Sequence, residues 1–549
     1  MKGRLQLLIV SFLLVTMTSV ATQIALAQGY QVTQLNPPNS QAGSTQPIGV
    51  NTTLAVVGNY MDTTTGKRRG FLYAKNKYTV IDPPADTGGY TRANGINDGG
   101  TIVGDFQSSD TRFHGYIYSG GTYTTYDETQ TESCGLFGIN KAGSLVGSVG
   151  NSSGPIRGFI NIGGSKTEFQ VNGNTTYVYA INSSNQVVGE YIDSSSKDHG
   201  FFRDSNGTIT EVAYPGASQT IALGINDKKE ITGTYTLPNG LTYGFTLVNN
   251  SYASTDFAFT GGVNNKGAYA GYYWGVDGVA SGYLAAPHKF TLATVTVAGN
   301  QQAQLWGINK AGVTVGNYVD SSGHPHGMMI STGGSISNID DPKGASTICW
   351  GINASNQIVG AYFDTQGNPH GYQYTNGTFT DVPGPAGSVA SLSFGINDSG
   401  DISGLSIDST GAGHGYILKG TTYTQLDVPG ANLTLARGIN NSDEVTMQWR
   451  DSAGYMQSSL YKKGKYTKIN VPGAAVNQAQ GIDTKGDVTY FWSDPYGVTH
   501  AALKKGSKYY VYDYPGGTNT GAGGINDSLQ MVGSYNPAGK TVPQAFTGH

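Results

Sequence analysis

Charged side chains are scarce in this sequence. Asp, Glu, Lys and Arg make up 12% of the 549 residues, about half of the roughly 25% found in ordinary soluble domains. The net charge is −4 and the isoelectric point is about 6.1. A protein that holds DNA, RNA or an anionic membrane surface by charge needs a strong basic excess. Nucleic acid and anionic membranes are therefore excluded as partners.

Cysteines and helix-forming runs are scarce as well. Cys134 and Cys349 are the two cysteines, and they lie far apart at non-equivalent positions. We expect no disulfide bond between them, so stability has to come from packing, which a chain of this length can supply. Runs of Glu, Lys, Leu and Ala are few, whereas there are 81 glycines and 36 tyrosines. This composition favours strands over helices.

A long apolar run occurs at the N-terminus. Lys2 and Arg4 precede apolar residues from Leu5 to Val20, and the small residues Ala25 and Ala27 follow. This order is typical of a signal peptide. It predicts cleavage after Ala27 and a secreted or periplasmic protein with no membrane insertion once residues 1–27 are removed. A retained membrane anchor is the alternative.

A motif related to Gly-Ile-Asn recurs along the whole chain at intervals of 38 to 46 residues. Such a period is typical of β-propeller blades or of helical arrays. We define twelve copies by the third residue of the motif, which we call the anchor. The anchors are Asn51, Asn97, Asn140, Asn182, Asn226, Asn264, Asn309, Asn353, Asn397, Asn440, Asp483 and Asn526.

Each copy is predicted to contain four short strands, named a to d. Strand a ends at the anchor, a tight turn leads to strand b, a loop leads to strand c, and a Gly or Asn turn leads to strand d. In strand b the seventh residue after the anchor is glycine in ten copies, and the ninth is aromatic in ten. We expect a bulky group from the neighbouring sheet to fill the space at this glycine. Four antiparallel strands per copy form the blade of a β-propeller.

The glycine-rich turn after the anchor resembles other kinds of loop. In copy 2 it reads Asn97-Asp98-Gly99-Gly100 and leads into a β-branched strand. A phosphate-binding loop needs a helix at this point, and a calcium loop needs alternating oxygen ligands. We therefore expect no cofactor and no metal at these turns, and we expect the asparagine side chain to cap backbone amides.

The copies resemble the bacterial extracellular HAF repeat family, with His-Gly-Phe or His-Gly-Tyr where the name motif of that family has alanine. Residues 351–384, which read GINASNQIVGAYFDTQGNPHGYQYTNGTFTDVPG, show the pattern. The resemblance covers nearly the whole chain after residue 27. It implies an exported repeat protein and implies no particular reaction.

The twelve copies are predicted to form two tandem six-bladed β-propellers of four-stranded antiparallel blades. Copy 6 has Pro287 in place of the turn between strands c and d, and the chain ends on a strand c. We place a boundary at Ala286, with one propeller over residues 28–286 and another over residues 287–549. Residues 30–35 are expected to complete the last blade of their ring as strand d. A single ring of twelve blades is the alternative.

Histidine begins strand c in six copies. In five of them an aspartate stands six residues earlier, across the loop between strands b and c, and we expect each pair to clasp this loop. A catalytic dyad or a pair of metal ligands is the other interpretation of this pattern. The pairs are Asp193 with His199, Asp320 with His326, Asp364 with His370, Asp408 with His414 and Asp494 with His500; His114 is the sixth histidine, and Asp62 with Arg69 is the counterpart in copy 1.

A specific site is expected where copies depart from their own consensus. Copies 10 and 11 depart together, with Met447 and Tyr490 in place of the strand b glycine and tryptophan as the aromatic residue. Aromatic and arginine side chains at a rim suit a sugar or a peptide. The predicted rim residues are Trp449, Arg450, Asp451, Trp492, Asp494 and Tyr496. Packing of the two tryptophans within drifted blades is the alternative.

The first functional hypothesis is an exported, non-enzymatic binding or interaction protein whose partner is a glycan or a peptide. The second is an extracellular polysaccharide hydrolase or lyase, which requires carboxylates that converge in one cavity. The third is a structural component of a surface or matrix. No catalytic residue is assigned; Glu190 and Glu211 are unusual at their positions, and we expect both to be solvated.

Overall fold

The computed structural model describes residues 21–127, 131–151, 154–255, 259–274, 279–297, 302–494 and 497–549, with the backbone alone for residues 21–28. Every regular element in these ranges is a β-strand. Within them no helix is long and apolar enough to cross a membrane. The all-β class is therefore confirmed, and most copies contain the four strands predicted for them.

The strands of the first half follow the copies in order. Strand β1 (Ala21–Leu35) precedes copy 1, which contains β2 (Gln46–Val50), β3 (Val56–Asp62), β4 (Lys67–Ala74) and β5 (Lys77–Ile81). Copies 2 and 3 contain β6 (Thr91–Ile96), β7 (Ile102–Gln107), β8 (Phe113–Ser119), β9 (Thr122–Tyr126), β10 (Ser133–Ile139), β11 (Leu145–Gly150), β12 (Arg157–Ile162) and β13 (Ser165–Phe169). Copies 4, 5 and 6 contain β14 (Thr175–Ile181), β15 (Val187–Ile192), β16 (Asp198–Arg203), β17 (Ile209–Val212), β18 (Gln219–Ile225), β19 (Ile231–Thr236), β20 (Thr242–Val248), β21 (Ser251–Ser254), β22 (Phe259–Val263), β23 (Tyr269–Trp274) and β24 (Ala280–Thr296).

The second half repeats this order. Copies 7, 8 and 9 contain β25 (Gln302–Ile308), β26 (Thr314–Val319), β27 (Pro325–Ile330), β28 (Ile336–Asn338), β29 (Ser346–Ile352), β30 (Ile358–Phe363), β31 (Pro369–Thr375), β32 (Thr378–Val382), β33 (Ser388–Ile396), β34 (Ile402–Asp408), β35 (Gly413–Lys419) and β36 (Thr422–Leu426). Copies 10, 11 and 12 contain β37 (Leu433–Ile439), β38 (Val445–Arg450), β39 (Met456–Lys462), β40 (Lys465–Lys468), β41 (Val476–Ile482), β42 (Val488–Ser493), β43 (Thr499–Lys505), β44 (Lys508–Tyr512), β45 (Gly517–Ile525), β46 (Met531–Pro537) and β47 (Gln544–Gly548).

Most copies form a separate antiparallel sheet of four strands. Copies 1 to 5, 7 and 8 do so, and a single parallel bridge between Gly413 and Leu433 joins the sheets of copies 9 and 10. Copies 6, 11 and 12 share an eleven-stranded sheet. The small hydrophobic clusters of the core lie between neighbouring sheets, as is expected for sheets that pack face to face. Cys134 and Cys349 are buried and free, so the absence of a disulfide bond is confirmed.

The eleven-stranded sheet is organised around the long strand β24, which runs unbroken through Pro287. The first half of β24 pairs with β23, and residues 292–295 pair with β47. Strand β1 runs antiparallel to all of β24, so residues 31–35 lie beside residues 282–286 as the fourth strand of copy 6. The other edge of β1 pairs with β44. The predicted boundary at Ala286 thus falls inside a strand that serves both copy 6 and copy 12.

The glycine of the Gly-Ile-Asn motif allows the innermost strands to approach each other closely. A Cβ atom on Gly95 would lie 2.8 Å from the carbonyl oxygen of Phe137 in the next copy, and one on Gly351 would lie 2.8 Å from the carbonyl oxygen of Phe394. These distances are shorter than real Cβ contacts. A glycine is therefore required at these two positions, where one strand a packs against the next.

The anchor asparagine has two roles. Its Oδ1 atom accepts backbone hydrogen bonds from the turn that follows, as Asn353 does from Ser355 at 3.1 Å and from Gln357 at 3.0 Å. This capping role confirms the sequence prediction. Its Nδ2 atom also donates to the anchor carbonyl of the next copy, as Asn353 does to Asn397 at 3.0 Å. The side chain therefore links neighbouring copies, which the sequence did not indicate.

The links between anchors return to their start after six copies. Asn264 in copy 6 donates to the carbonyl oxygen of Asn51 in copy 1 at 2.8 Å, across 213 residues. In the second half, Asn526 in copy 12 donates to Asn309 in copy 7 at 3.0 Å. Intermediate links join consecutive anchors in the same way. Asp483 has no amide group to donate, and its Oδ2 atom is buried without a partner among the described residues.

The strand b glycine is covered by an aromatic ring of its own sheet. Gly104 in β7 lies opposite Tyr116 in β8, and a Cβ atom on Gly104 would lie 2.7 Å from this ring. The prediction that the neighbouring sheet supplies the bulky group was therefore wrong. In copies 10 and 11 the large side chain lies on strand b and the small one lies opposite it on strand c. The pairs are Met447 with Ser459 and Tyr490 with Ala502.

Candidate functional site

A cavity of about 540 Å³ is enclosed by the six strands a of copies 1 to 6. Its floor is a collar of branched aliphatic residues, each directly before an anchor. The collar consists of Val50, Ile96, Ile139, Ile181, Ile225 and Val263. On the far side of the collar the channel narrows to about 80 Å³ between the anchors. The cavity therefore has an apolar floor, and its volume lies within the range of small-molecule sites.

Copy 2 places an ion pair in the wall of this cavity. Arg92 in β6 donates from Nε to Asp105 in β7 at 2.9 Å, and its Nη2 atom donates to the same carboxylate. Asn94 donates to Asp105 at 3.0 Å, and Asp105 is 1% exposed. Arg92 also lies over the Tyr90 ring, with its Cζ atom 5.6 Å from the ring centroid. The carboxylate of Asp105 is thus engaged in holding Arg92 in place.

Copy 1 contributes a second arginine beside the first. Arg68 lies over the Tyr90 ring, with its Cζ atom 5.3 Å from the centroid. Its Nη1 atom donates to the side-chain oxygens of Asn59 and Gln46. Both acceptors are neutral amide oxygens, so no carboxylate neutralises the charge of Arg68 through these bonds.

Copy 4 contributes a buried carboxyl group. Glu190 in β15 is 7% exposed, and its Oε1 atom accepts a hydrogen bond from the Tyr179 hydroxyl at 2.6 Å. Burial raises the pKa of Glu190 to about 7, although the hydrogen bond from Tyr179 opposes this effect. The expectation that Glu190 is solvated was therefore wrong, because its side chain points into the ring of strands rather than into water. Glu211 does keep a half-exposed side chain.

Three buried polar atoms that line this cavity have no hydrogen-bond partner among the described residues. They are Nδ2 of Asn59, Nε of Arg68 and Oε2 of Glu190. Buried polar groups are nearly always paired in folded proteins, and leaving one unpaired costs about 1–3 kcal/mol. Two donors and one acceptor in residues that line the same cavity therefore lack a partner among the described residues.

The corresponding channel of copies 7 to 12 is nearly filled. The cavity at the equivalent place has a volume of about 80 Å³ and is lined by Trp306, Trp350, Phe394 and Arg437. Arg437 stacks on Phe394, with its Cζ atom 4.2 Å from the ring centroid, and its Nε atom donates to Gln480 at 3.0 Å. Large side chains take the place of the cavity found in copies 1 to 6.

The five predicted Asp–His pairs lie in contact across their loops. The Nε2 to carboxylate distances are 3.1 Å for Asp193 with His199, 3.4 Å for Asp320 with His326, 3.1 Å for Asp364 with His370, 3.4 Å for Asp408 with His414 and 3.8 Å for Asp494 with His500. In copy 1, Arg69 lies 3.0 Å from Asp62 in the equivalent place. The aspartate also caps the loop, as Asp364 does by accepting the amides of Gln366 and Asn368.

A second carboxylate holds most of these histidines from strand d. His326 reaches Asp340 at 2.8 Å through Nδ1, and His199 reaches Glu211 at 3.0 Å. The ring also stacks on the strand b aromatic residue, as His199 does on Tyr191 at a centroid distance of 4.8 Å. The recurrent acidic residue at the end of strand d was visible in the sequence and was missed. Within the described residues no group of three or more His, Cys, Asp or Glu side chains is arranged to hold a metal ion.

These clasps predict that stability falls as pH rises from 6 to 8. Hydrogen bonds that the histidine rings donate to carboxylates raise the pKa of His326, and they outweigh burial to raise the pKa of His199 and of His414. Stability from a raised histidine pKa is fully present below the unfolded value of about 6.5 and is lost as pH passes the folded value. The unfolding free energy should be measured in urea between pH 5 and 9. Its slope against pH should correspond to the release of up to about one proton per clasp histidine on unfolding.

The matched variant for this experiment replaces the three histidines with glutamine, which should flatten the dependence above pH 6. The C-terminal His549 lies outside the clasps, so His549→Gln should keep the slope of the parent. An unchanged slope in the triple variant would show that the clasp histidines do not take up these protons.

The two tryptophans predicted at the rim of copies 10 and 11 are packed in the structure. Trp492 is 1% exposed and borders a cavity of about 280 Å³, and Trp449 donates from Nε1 to Ser459 at 3.0 Å. Asp494 is 6% exposed. Arg450 is exposed, and Tyr496 lies outside the described residues.

Copy 10 has a version of the clasp in which a glutamine takes the place of the histidine. Asp451 caps its loop and accepts a hydrogen bond from Gln457, which stands in the histidine position, at 2.9 Å. Asn470 on the strand d side donates to the other end of Gln457. The departures of copies 10 and 11 are therefore explained by compensating exchanges within each sheet, and a ligand-binding role for their rim residues stays a prediction.

No protein-family model matches the chain, and no match is found among curated proteins. Among solved structures, the β-propeller domain of the trilobed protease from Pyrococcus furiosus is 10% identical over 61% of this chain and 94% of that chain, with a TM-score of 0.26. The BP39L lectin from Burkholderia pseudomallei is 11% identical over 60% and 94%, with a TM-score of 0.23. A gluconolactonase from Xanthomonas campestris is 12% identical over 47% and 89%, with a TM-score of 0.32. At these values the similarities carry no statement about ligand or reaction.

Proposed function

We propose that the chain forms two six-bladed β-propellers that meet at Ala286, and that it is an exported protein of the HAF repeat type once residues 1–27 are removed. The two cycles of anchor links, each of six copies, support this count over one ring of twelve. The pairing of residues 31–35 within copy 6 supports closure of the first ring by its own first strand. The charged and apolar pattern of the leader supports export.

We further propose that the first propeller is a binding module for a small saccharide, with no reaction of its own. The observation that carries this function is the set of three unpaired buried polar atoms at the 540 Å³ cavity. A sugar hydroxyl both donates and accepts hydrogen bonds, so the hydroxyls of a saccharide can satisfy Asn59 and Arg68 as donors and Glu190 as an acceptor. Tyr90 and Tyr179 also line this cavity.

The arrangement supports binding rather than glycoside cleavage. Hydrolysis by paired carboxylates requires a second acid that is free to act on the bond opposite Glu190. Glu190 is the one carboxyl group among the described residues that line the cavity, and Asp105, behind Arg92, is held by Arg92 and by Asn94. An extended peptide is less well matched than a sugar, because the channel narrows to about 80 Å³ beyond the apolar collar.

The test is a glycan array followed by calorimetry on the retained glycans. Glu190→Ala should weaken binding at least about tenfold, because the variant loses the acceptor and leaves the Tyr179 hydroxyl unpaired. Glu211→Ala is the matched control: this glutamate lies on strand d of the same copy and contacts His199 outside the cavity. Thermal unfolding of both variants checks that they are folded.

Loss of affinity in Glu190→Ala alone supports the site. Equal affinities in both variants, or a parent that retains no glycan, would falsify the proposed function.

A further inference from the structure

Half of the eight arginines among the described residues pair with a carboxylate. Arg69, Arg92, Arg112 and Arg157 each lie within 3.0 Å of an Asp or Glu oxygen. Arg68 is not one of these, because its side chain donates to the amide oxygens of Asn59 and Gln46, as Arg437 does to Gln480 in the second half. No described carboxylate forms an ion pair with Arg68. The first cavity therefore contains a guanidinium whose positive charge is not balanced by a bonded anion.

The surroundings of Arg68 keep its charge directed at the cavity. Its Nε atom is buried without a partner among the described residues, and its guanidinium is held over Tyr90. Arg92 lies over the same ring, but Asp105 already neutralises it. A guanidinium presents its donors in a planar fork that matches a carboxylate in two parallel hydrogen bonds. An anionic group is the partner that this geometry lacks.

We propose that the ligand of the first cavity is an acidic saccharide, a uronic acid or an oligomer of uronic acids, whose carboxylate binds Arg68 while its hydroxyls bind Asn59 and Glu190. This inference rests on the proposed function and names its ligand class. The carboxylate of the sugar would accept a hydrogen bond from Nε of Arg68, the guanidinium donor that has no partner among the described residues. The Asn59 amide lies beside Arg68, so a hydroxyl of the same sugar unit would bind it, whereas Glu190 in copy 4 would bind a hydroxyl of a further unit across the cavity.

The experiment measures binding of digalacturonate and diglucuronate by calorimetry, with their methyl esters as uncharged counterparts of the same sugars. The acids should bind at least about tenfold more tightly than the esters, and this preference should weaken as salt is raised. In Arg68→Gln the preference should disappear. Arg69→Gln is the matched control, since the neighbouring arginine is paired with Asp62 and with Asp82 instead.

The outcomes separate this inference from the function on which it rests. Esters or neutral sugars that bind as well as the acids overturn the acidic class and leave a saccharide site. An acid preference that survives in Arg68→Gln overturns the role of Arg68. Tighter binding of an acidic tripeptide than of any sugar overturns the saccharide. If no sugar of any kind binds, both proposals fail together.

Discussion

Replacing Gly360 with alanine is expected to destabilise the protein by about 3 kcal/mol or more. A Cβ atom at this position would lie 1.9 Å from the carbonyl oxygen of Ile348 and 2.8 Å from the hydroxyl of Tyr372. Neither neighbour can move easily, because the first is backbone in the innermost strand and the second is a fully buried ring. Strand b has to separate from strand a, and the ring has to leave its rotamer.

Urea unfolding followed by circular dichroism measures this loss, with Gly154→Ala as the control. A Cβ atom added to Gly154 would have no neighbouring atom within 4 Å, and the φ angle of this residue is not in the left-handed region. Its substitution should therefore change the unfolding free energy by less than about 0.5 kcal/mol. A loss below about 1 kcal/mol in Gly360→Ala would contradict the prediction. It would mean that the strands of copy 8 can move apart enough to admit a larger side chain, as those of copy 11 do for Tyr490 at the equivalent position.

The periodic part of the fold could be predicted from the sequence because each copy repeats the same local chemistry. The four strands, the capping by the anchor and the Asp–His contacts are settled within a single copy of the repeat. The link from each anchor to the next copy was not readable, since it joins residues such as Asn264 and Asn51 that are 213 positions apart. Nor could the sequence show why residue 95 is glycine, because the backbone that a Cβ atom there would meet belongs to a strand of another copy.

The cavity was missed for a related reason. The sequence pointed to copies 10 and 11, where several departures from the consensus lie close together in the chain. The structure explains those departures by exchanges inside one sheet, such as Tyr490 against Ala502. Arg68, Arg92 and Glu190 are single departures in three separate copies. They come together only because their strands surround one axis, which no local pattern displays.

The ring of anchors leads to the second large expected effect: Asp483→Asn should stabilise the protein by about 1–3 kcal/mol at pH 8. Asp483 accepts the amides of Lys485 and Asp487 like other anchors, but its Oδ2 atom faces the buried ring without a partner among the described residues. Asparagine at this position restores the donor that every other anchor has. The new amide should bond the carbonyl of Asn526, the next anchor.

The gain should depend on pH in a defined direction. Burial raises the pKa of Asp483, and the nearby charges of Asp487 and Asp527 add to the effect. The folded state therefore disfavours the ionised carboxylate. The contribution of Asp483 to the free energy of unfolding is greatest below the unfolded pKa of about 3.9 and is lost as pH rises through the folded pKa. The advantage of Asp483→Asn should accordingly be small at pH 4 and full at pH 8.

The reciprocal variant Asn309→Asp provides the control, because Asn309 donates to the carbonyl of Asn353 at 3.1 Å and to Asn356 at 2.8 Å, both neutral groups. It should lose stability by a similar amount and acquire the pH dependence that Asp483→Asn removes. Unfolding free energies at pH 4 and pH 8 for the parent and both variants measure the two effects. Equal stability of parent and Asp483→Asn at pH 8 would show that the second ring closes without the missing amide, since its other anchor links already hold the innermost strands together.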